Sequence, residues 1–216
     1  MIFTDAQPLI LSTDCRPDYD IIVHLVPDGV RVLDLGCGTG ELMERLVRER
    51  HAVTRGVDLH QPSVSACISK GLSVFHGDIY EGLADLPDDS FDFVILSRTL
   101  QQVSEPDGVI REMLRVGSRA IVSFPNFAYW RIRLHLTAKG TLPVSDALPY
   151  AWFNTPNIRL ITLTDFEDFC RRSGFAILEK VALSIGDGRH PRQIHHLTDW
   201  RGEYGMYLLG RKASSR

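Results

Sequence analysis

The 216-residue sequence predicts an α/β fold, a doubly wound and mostly parallel sheet with helices on both faces. Three observations predict it. Short apolar runs alternate with amphipathic segments through most of the chain. A glycine-rich turn joins one apolar run to the helix after it. An acidic residue then ends the next strand, about 20 residues on. No internal repeat or low-complexity tract interrupts the pattern.

The first helix begins at Pro17, a residue suited to the first turn, and carries Ile21, Ile22, Leu25 and Val26 on one face. Pro27-Asp28-Gly29 ends it. Val30 to Leu35 has the length of a buried strand, and Gly36 to Gly40 form a turn. Glu41 to Arg50 is a helix with Leu42, Met43, Leu46 and Val47 inward. The second strand spans Ala52 to Leu59. Pro62 opens a helix that buries Val64, Cys67 and Ile68, and Gly71 closes it. Leu72 to His76 is the third strand, followed by Gly77-Asp78, and Phe91 to Ser97 is the fourth. Pro106 starts a helix with Val109, Ile110, Met113 and Leu114 buried, and Arg119 to Phe124 is the fifth strand.

From about Pro125 to Ile161 the period is lost and prolines accumulate, which predicts an insertion or lid after the fifth strand of a single domain. Regularity returns at Thr164, which with Glu167 fits a capping box; Phe166 and Phe169 are inward and Gly174 terminates the helix. Phe175 to Leu183 and Glu203 to Arg211 are the last two strands, joined by a connection rich in histidine and arginine.

Composition bounds the function. Hydrophobic residues make up 44% and charged residues 24%, ordinary globular values. With 24 basic against 27 acidic residues, the chain lacks the basic excess of a nucleic-acid binder. Cys15, Cys37, Cys67 and Cys170 are scattered, which argues against a disulfide framework or a zinc site and fits a reducing compartment. The opening MIFTDAQPLILSTD has neither a basic start nor a long apolar stretch, and no run approaches the roughly 20 residues of a membrane helix. A cytoplasmic protein without membrane contact is expected.

The most informative stretch is Asp34-Leu35-Gly36-Cys37-Gly38-Thr39-Gly40. Glycines belong where a ligand approaches the backbone and the turn needs unusual dihedrals. Asp58 ends the second strand where a carboxylate can bind a ribose diol, and Leu59 follows it. The third glycine, Gly40, comes one position earlier than in a dinucleotide fingerprint, and Glu41 follows. Asp34 ahead of the turn suits a cationic ligand better than a pyrophosphate. S-adenosylmethionine, with a sulfonium and an ammonium but no phosphate, is the first reading; a nicotinamide-dependent oxidoreductase is the second. Ligands in such sheets bind beyond the carboxyl ends of strands. Asp78, followed by Ile79, can accept from an adenine amino group there, or be an ordinary turn carboxylate. Ser97 is placed toward the same crevice, with structural and binding roles equally open.

These residues resemble the motifs of class I S-adenosylmethionine-dependent methyltransferases: VLDLGCGTG the first, GVDLH the second, GDIYEGL the third and FDFVILSRTL the fourth. That resemblance implies a Rossmann-like sheet of seven strands with the last antiparallel. DLGCGTGELM, SFPNFAYWRIR and LPYAWFNTPN further resemble the methionine-biosynthesis MetW family, over roughly Arg31 to Leu183. The resemblance implies S-adenosylmethionine or S-adenosylhomocysteine as cofactor and a MetX-like homoserine O-acyltransferase as partner. His60 and Arg98 depart from the family's usual residues; the segment after Leu183 matches less clearly.

Methyl transfer from a sulfonium is an in-line displacement that mainly needs alignment and exclusion of water, so no catalytic residue is named and activity on a small metabolite stays open. Phe127, Tyr129, Trp130, Arg131, Arg133, His135 and Tyr150 suit a protein interface first, a packed lid second and an acceptor pocket third. His190, His195 and His196 read as exposed loop residues rather than metal ligands, and Cys37 as a packing residue rather than a nucleophile.

Overall fold

The computed structural model describes residues 16–145, 147–185 and 192–212. Along the chain run α1 (Pro17–Leu25), β1 (Arg31–Leu35), α2 (Glu41–Arg50), β2 (Val53–Asp58), α3 (Gln61–Ser69), β3 (Ser73–His76), α4 (Ile79–Ala84) and β4 (Phe91–Ser97). A single 3-10 turn, Leu100–Gln102, leads to α5 (Pro106–Val116), β5 (Gly117–Pro125), α6 (Trp130–Lys139) and α7 (Leu163–Ser173). The chain closes with β6 (Phe175–Ser184), β7 (Arg192–Ile194), α8 (Thr198–Arg201) and β8 (Tyr204–Arg211).

The strands form one sheet in the order β3-β2-β1-β4-β5-β8-β6-β7. The first five pair in parallel, and β8 is antiparallel to both neighbours. The chain winds outward from β1 to β3, then returns to β4 on the other side of β1. This reversal opens a crevice at the carboxyl ends of β1 and β4, where ligands of doubly wound sheets sit.

Alternation along the strands builds the two halves of the core. Leu33, Leu35, Val94, Leu96 and Val122 join Val109, Ile110 and Met113 of α5 and Phe166 of α7. Val32, Ile95 and Ile121 instead join Ile21, Ile22 and Leu25 of α1 and Leu42 and Leu46 of α2. Helices cover both faces of the central strands, so β1, β4 and β5 are mostly apolar and legible as nearly continuous runs.

Several expectations need correction. Val47 and Ile68 are exposed, because the inward stripes of α2 and α3 are narrower than predicted. Phe169 is only partly buried, at the edge of the α5–α7 cluster. The cap of α7 is Thr162, whose hydroxyl accepts the Asp165 amide at 3.0 Å, while Thr164 already lies inside the helix. The sheet gains an eighth strand, β7, within the histidine- and arginine-rich connection between the last two expected strands. Helix α6 lies inside the segment read as aperiodic; Ile132 is its only buried residue, so it leaves no clear stripe in the sequence. Cys15, His190 and residues 1–14 lie outside the described residues.

Candidate functional site

Strand β1 delivers Asp34 and Leu35 to the crevice, and the turn that follows bends back under its own hydrogen bonds. The amides of Gly36 and Cys37 both donate to the Val57 carbonyl, at 2.8 and 3.1 Å. The Gly38 amide donates to Asp58 Oδ2 at 2.7 Å, and the Gly40 amide to the Cys37 carbonyl at 3.0 Å. These four amides are therefore satisfied within the protein. Gly40, the N-cap of α2, sits at φ +79°, and a Cβ there would strike Leu72 Cδ1 and come within 3.0 Å of Cys67 Sγ. Only glycine fits both the dihedral and the space.

Two cavities flank the turn and share Gly36. The larger, about 530 Å³, is lined by Asp58, Leu59, Asp78, Ile79, Thr99 and Val103 among others. The smaller, about 230 Å³, is lined by Arg16, Tyr19, Asp34, Cys37, Gly38 and Ser97 among others. Of the residues expected from the sequence to hold the cofactor, Gly40 alone lines neither; it shapes the turn from behind.

Asp58 has a double task. Its carboxylate clamps the turn through Gly38 and also accepts the His60 amide at 2.8 Å, while it faces the larger cavity. Each oxygen keeps a lone pair for a further donor. Asp78 is the N-cap of α4, accepting the Glu81 amide at 2.8 Å in a capping box. The turn-carboxylate role and the cavity-facing position thus coexist in one residue. Helix α4 went unread in the sequence because its six residues are too short to show a period.

The floor of the smaller cavity is electrostatically unusual. Asp34 is buried, and among the described residues no hydrogen bond reaches its carboxylate. Burial pushes its pKa up to about 7; Arg16 opposes the rise and Asp58 adds to it. Beside it lies an ion network that sequence reasoning missed. Asp18, also buried, pairs with Arg16 at 2.9 Å and Arg98 at 2.7 Å. Burial alone would raise the Asp18 carboxyl, but the two guanidinium groups outweigh it and hold it below its ordinary value. Ser97 belongs to this network: its hydroxyl donates to Asp18 Oδ2 at 3.0 Å and accepts from Arg16 Nη2 at 3.0 Å. Arg98 holds a positive φ of 55°, a sparsely populated conformation for a non-glycine residue, and stacks over the Tyr204 ring at 4.2 Å. The single sequence signal for this network is the departure at Arg98.

Burial pushes the Cys37 thiol up and keeps it neutral, as a packing residue requires. His195 and His196 are exposed, and among the described residues no group of three potential ligands is placed to hold a metal ion. Tyr129 is buried, Arg133 pairs with Asp199 at 2.9 Å, and none of the seven aromatic and basic residues read from 127–150 lines either cavity.

The profile of the methionine biosynthesis protein MetW matches residues 16–209. The chain belongs to the MetW family. A relative in that family is the bifunctional methionine biosynthesis protein MetXA/MetW of Rhodopirellula baltica, 37% identical over 197 residues. The match covers 86% of this chain but only 32% of the bifunctional protein. The ubiquinone biosynthesis O-methyltransferase of Nitrosococcus oceani is 29% identical, over 82% of this chain and 76% of its own. Among solved structures, an S-adenosylmethionine-dependent methyltransferase from Thermotoga maritima superposes with a TM-score of 0.67 at 18% identity, covering 90% of this chain and 87% of that one. One from Mesorhizobium loti reaches 0.64 at 21% identity, covering 92% and 98%. This MetW-family chain therefore has the class I methyltransferase fold. Among its described residues, no helix is long and apolar enough to cross a membrane.

Proposed function

We propose that the chain binds S-adenosylmethionine or S-adenosylhomocysteine across the two cavities, and that it serves methionine biosynthesis by assisting a MetX-like homoserine O-acyltransferase. The observation that carries the cofactor reading is the inward orientation of the turn amides. A pyrophosphate needs such amides directed at the ligand; here Gly36, Cys37, Gly38 and Gly40 donate to the protein. Carboxylates stand where a dinucleotide would bring negative charge, and they suit a cation.

In this reading the adenosine half occupies the larger cavity. Asp58 accepts from the ribose hydroxyls, Asp78 from the adenine amino group, and Leu59 and Ile79 cover the base. The amino-acid half occupies the smaller cavity. Asp34 faces the ammonium, Arg16 the carboxylate, and Ser97 holds Arg16 in place. Gly36, Cys37 and Gly38 contact the ligand through the backbone, and Gly40 permits the turn.

The partner reading draws on the Rhodopirellula relative, whose name joins MetXA and MetW in one chain. A second reading, methyl transfer to a small metabolite, is favoured by the relatives named as ubiquinone biosynthesis O-methyltransferases. Calorimetry with S-adenosylmethionine, S-adenosylhomocysteine and NAD tests the cofactor: heat with the first two and none with NAD is expected. Acyltransferase activity with and without the chain tests the role. Release of S-adenosylhomocysteine from a metabolite pool, with no effect on the acyltransferase, would favour the second reading.

A further inference from the structure

We propose that residues 150–160 form the surface on which the acyltransferase docks, and that the occupancy of the nucleotide cavity sets the conformation of that surface. This rests on the partner reading given above.

The stretch is an anomaly among exposed loops. Tyr150 is 47% exposed, Trp152 75%, Phe153 72%, Ile158 62% and Leu160 61%. The Trp152 and Phe153 rings meet edge to face at 5.8 Å. Arg159 is the one charged residue from 150 to 160, and its guanidinium donates to the Val103 carbonyl at 3.1 Å and to the Ser104 carbonyl. A solvated loop of this length ordinarily carries free charge. Charge depletion together with exposed aromatics is the composition of an interface core. It calls for an uncharged, apolar protein surface as occupant and disfavours a nucleic acid. In the bifunctional relative the acyltransferase and this family share a chain, an arrangement that strengthens a surface contact between them by raising effective concentration.

The same stretch is tied to the nucleotide cavity. The amides of Ile158 and Arg159 both donate to the Gln101 carbonyl, at 3.0 and 3.1 Å. Val103 and Ser104, whose carbonyls Arg159 holds, line the larger of the two cavities at the turn together with Gln102. Ser104 also lines a groove of about 790 Å³ that Ile158–Ile161 share with Leu100, Phe166 and Phe169. A ligand that moves the wall 102–104 therefore moves the base of the docking surface through the two Arg159 contacts to Val103 and Ser104, and through the adjoining Gln101 carbonyl that holds the Ile158 and Arg159 amides.

The test measures binding of the purified acyltransferase to the full chain, with and without saturating S-adenosylmethionine. The affinity is expected to change about five-fold or more with the ligand, and the acyltransferase to change the ligand's affinity by the same factor. Trp152→Ser/Phe153→Ser is expected to weaken docking about thirty-fold or more while the ligand binds as before and the melting temperature holds. Arg159→Gln is expected to shrink the coupling factor toward one. Equal docking with and without ligand would overturn the coupling. Wild-type docking by the double variant would overturn the surface, as would a dimer of the chain alone that disperses on that substitution. If the wild type binds the nucleotide but not the acyltransferase, the partner reading itself fails.

Discussion

The carboxylate of Asp58 accepts the Gly38 amide at 2.7 Å across a separation of 20 residues, so the side chain expected to hold the ribose also holds the glycine turn. Asp58→Ala is therefore expected to act twice. Affinity for S-adenosylmethionine should fall by about 1–3 kcal/mol, and stability by about 1.5–3 kcal/mol, the size of a lost hydrogen bond to a charged group. Calorimetry and urea unfolding read the two effects separately. A stability loss without an affinity loss would leave Asp58 as a clamp only.

Asp34 makes the site pH-dependent. Its folded pKa, about 7, lies above the ordinary value of 3.8. A raised carboxyl contributes stability that is present below the unfolded pKa and lost as pH rises through the folded one. Asp34→Asn is thus expected to unfold at higher urea than the wild type at about pH 8, by roughly 1–3 kcal/mol, and at about the same urea near pH 4. Ligand affinity should behave oppositely. An ammonium favours the ionised carboxylate, so wild-type affinity rises from about pH 6 to about pH 7.5, and the asparagine variant shows a flatter profile.

Arg98→Gln removes one of two guanidinium partners from a buried carboxylate. Breaking a buried pair leaves charge uncompensated, but Arg16 remains within 2.9 Å of Asp18, so the loss is expected to be about 1–3 kcal/mol rather than the full cost. Asp18, held below its ordinary value, contributes stability above the unfolded pKa that fades as pH falls. The wild type's advantage over Arg98→Gln should therefore shrink in acid. Urea midpoints at neutral pH and near pH 3 test both statements.

Gly38 and Gly40 both hold positive φ, yet their substitution should differ. A Cβ on Gly38 meets nothing within 4 Å, whereas one on Gly40 strikes Leu72 and crowds Cys67. Gly38→Ala is expected to cost about 1 kcal/mol, the strain of a left-handed residue alone. Gly40→Ala adds overpacking, for about 2–4 kcal/mol in all. Thermal melting ranks them, and equal losses would show that the neighbours of Gly40 yield without cost.

Strands β1, β4 and β5 were legible to within about two residues because they are buried, mostly apolar runs, which is a property of adjacent residues; the more exposed β2 and β3 were legible from the turns and helix ends that bound them. Helices α4 and α6 and strand β7 were not, since two of these are too short for a period and α6 buries only Ile132. The turn and Asp58 were legible together because their spacing is written in consecutive elements. Ser97 is legible as a strand end facing the crevice, but its partners Arg16 and Asp18 carry no sequence signal, because they meet it across about 80 residues.

The chain's own order of residues determined the alternating architecture, the glycine turn with its acidic partner, and the acidic rather than amide-rich character of the site. These depend on local periodicity and on dihedrals that few residues tolerate. Tertiary structure alone decided that Arg98 meets Asp18 across 80 residues, that the turn amides face inward, and that Arg159 grips the cavity wall. Such contacts depend on which strands become neighbours, and that is settled by burying the whole sheet rather than by any segment of it.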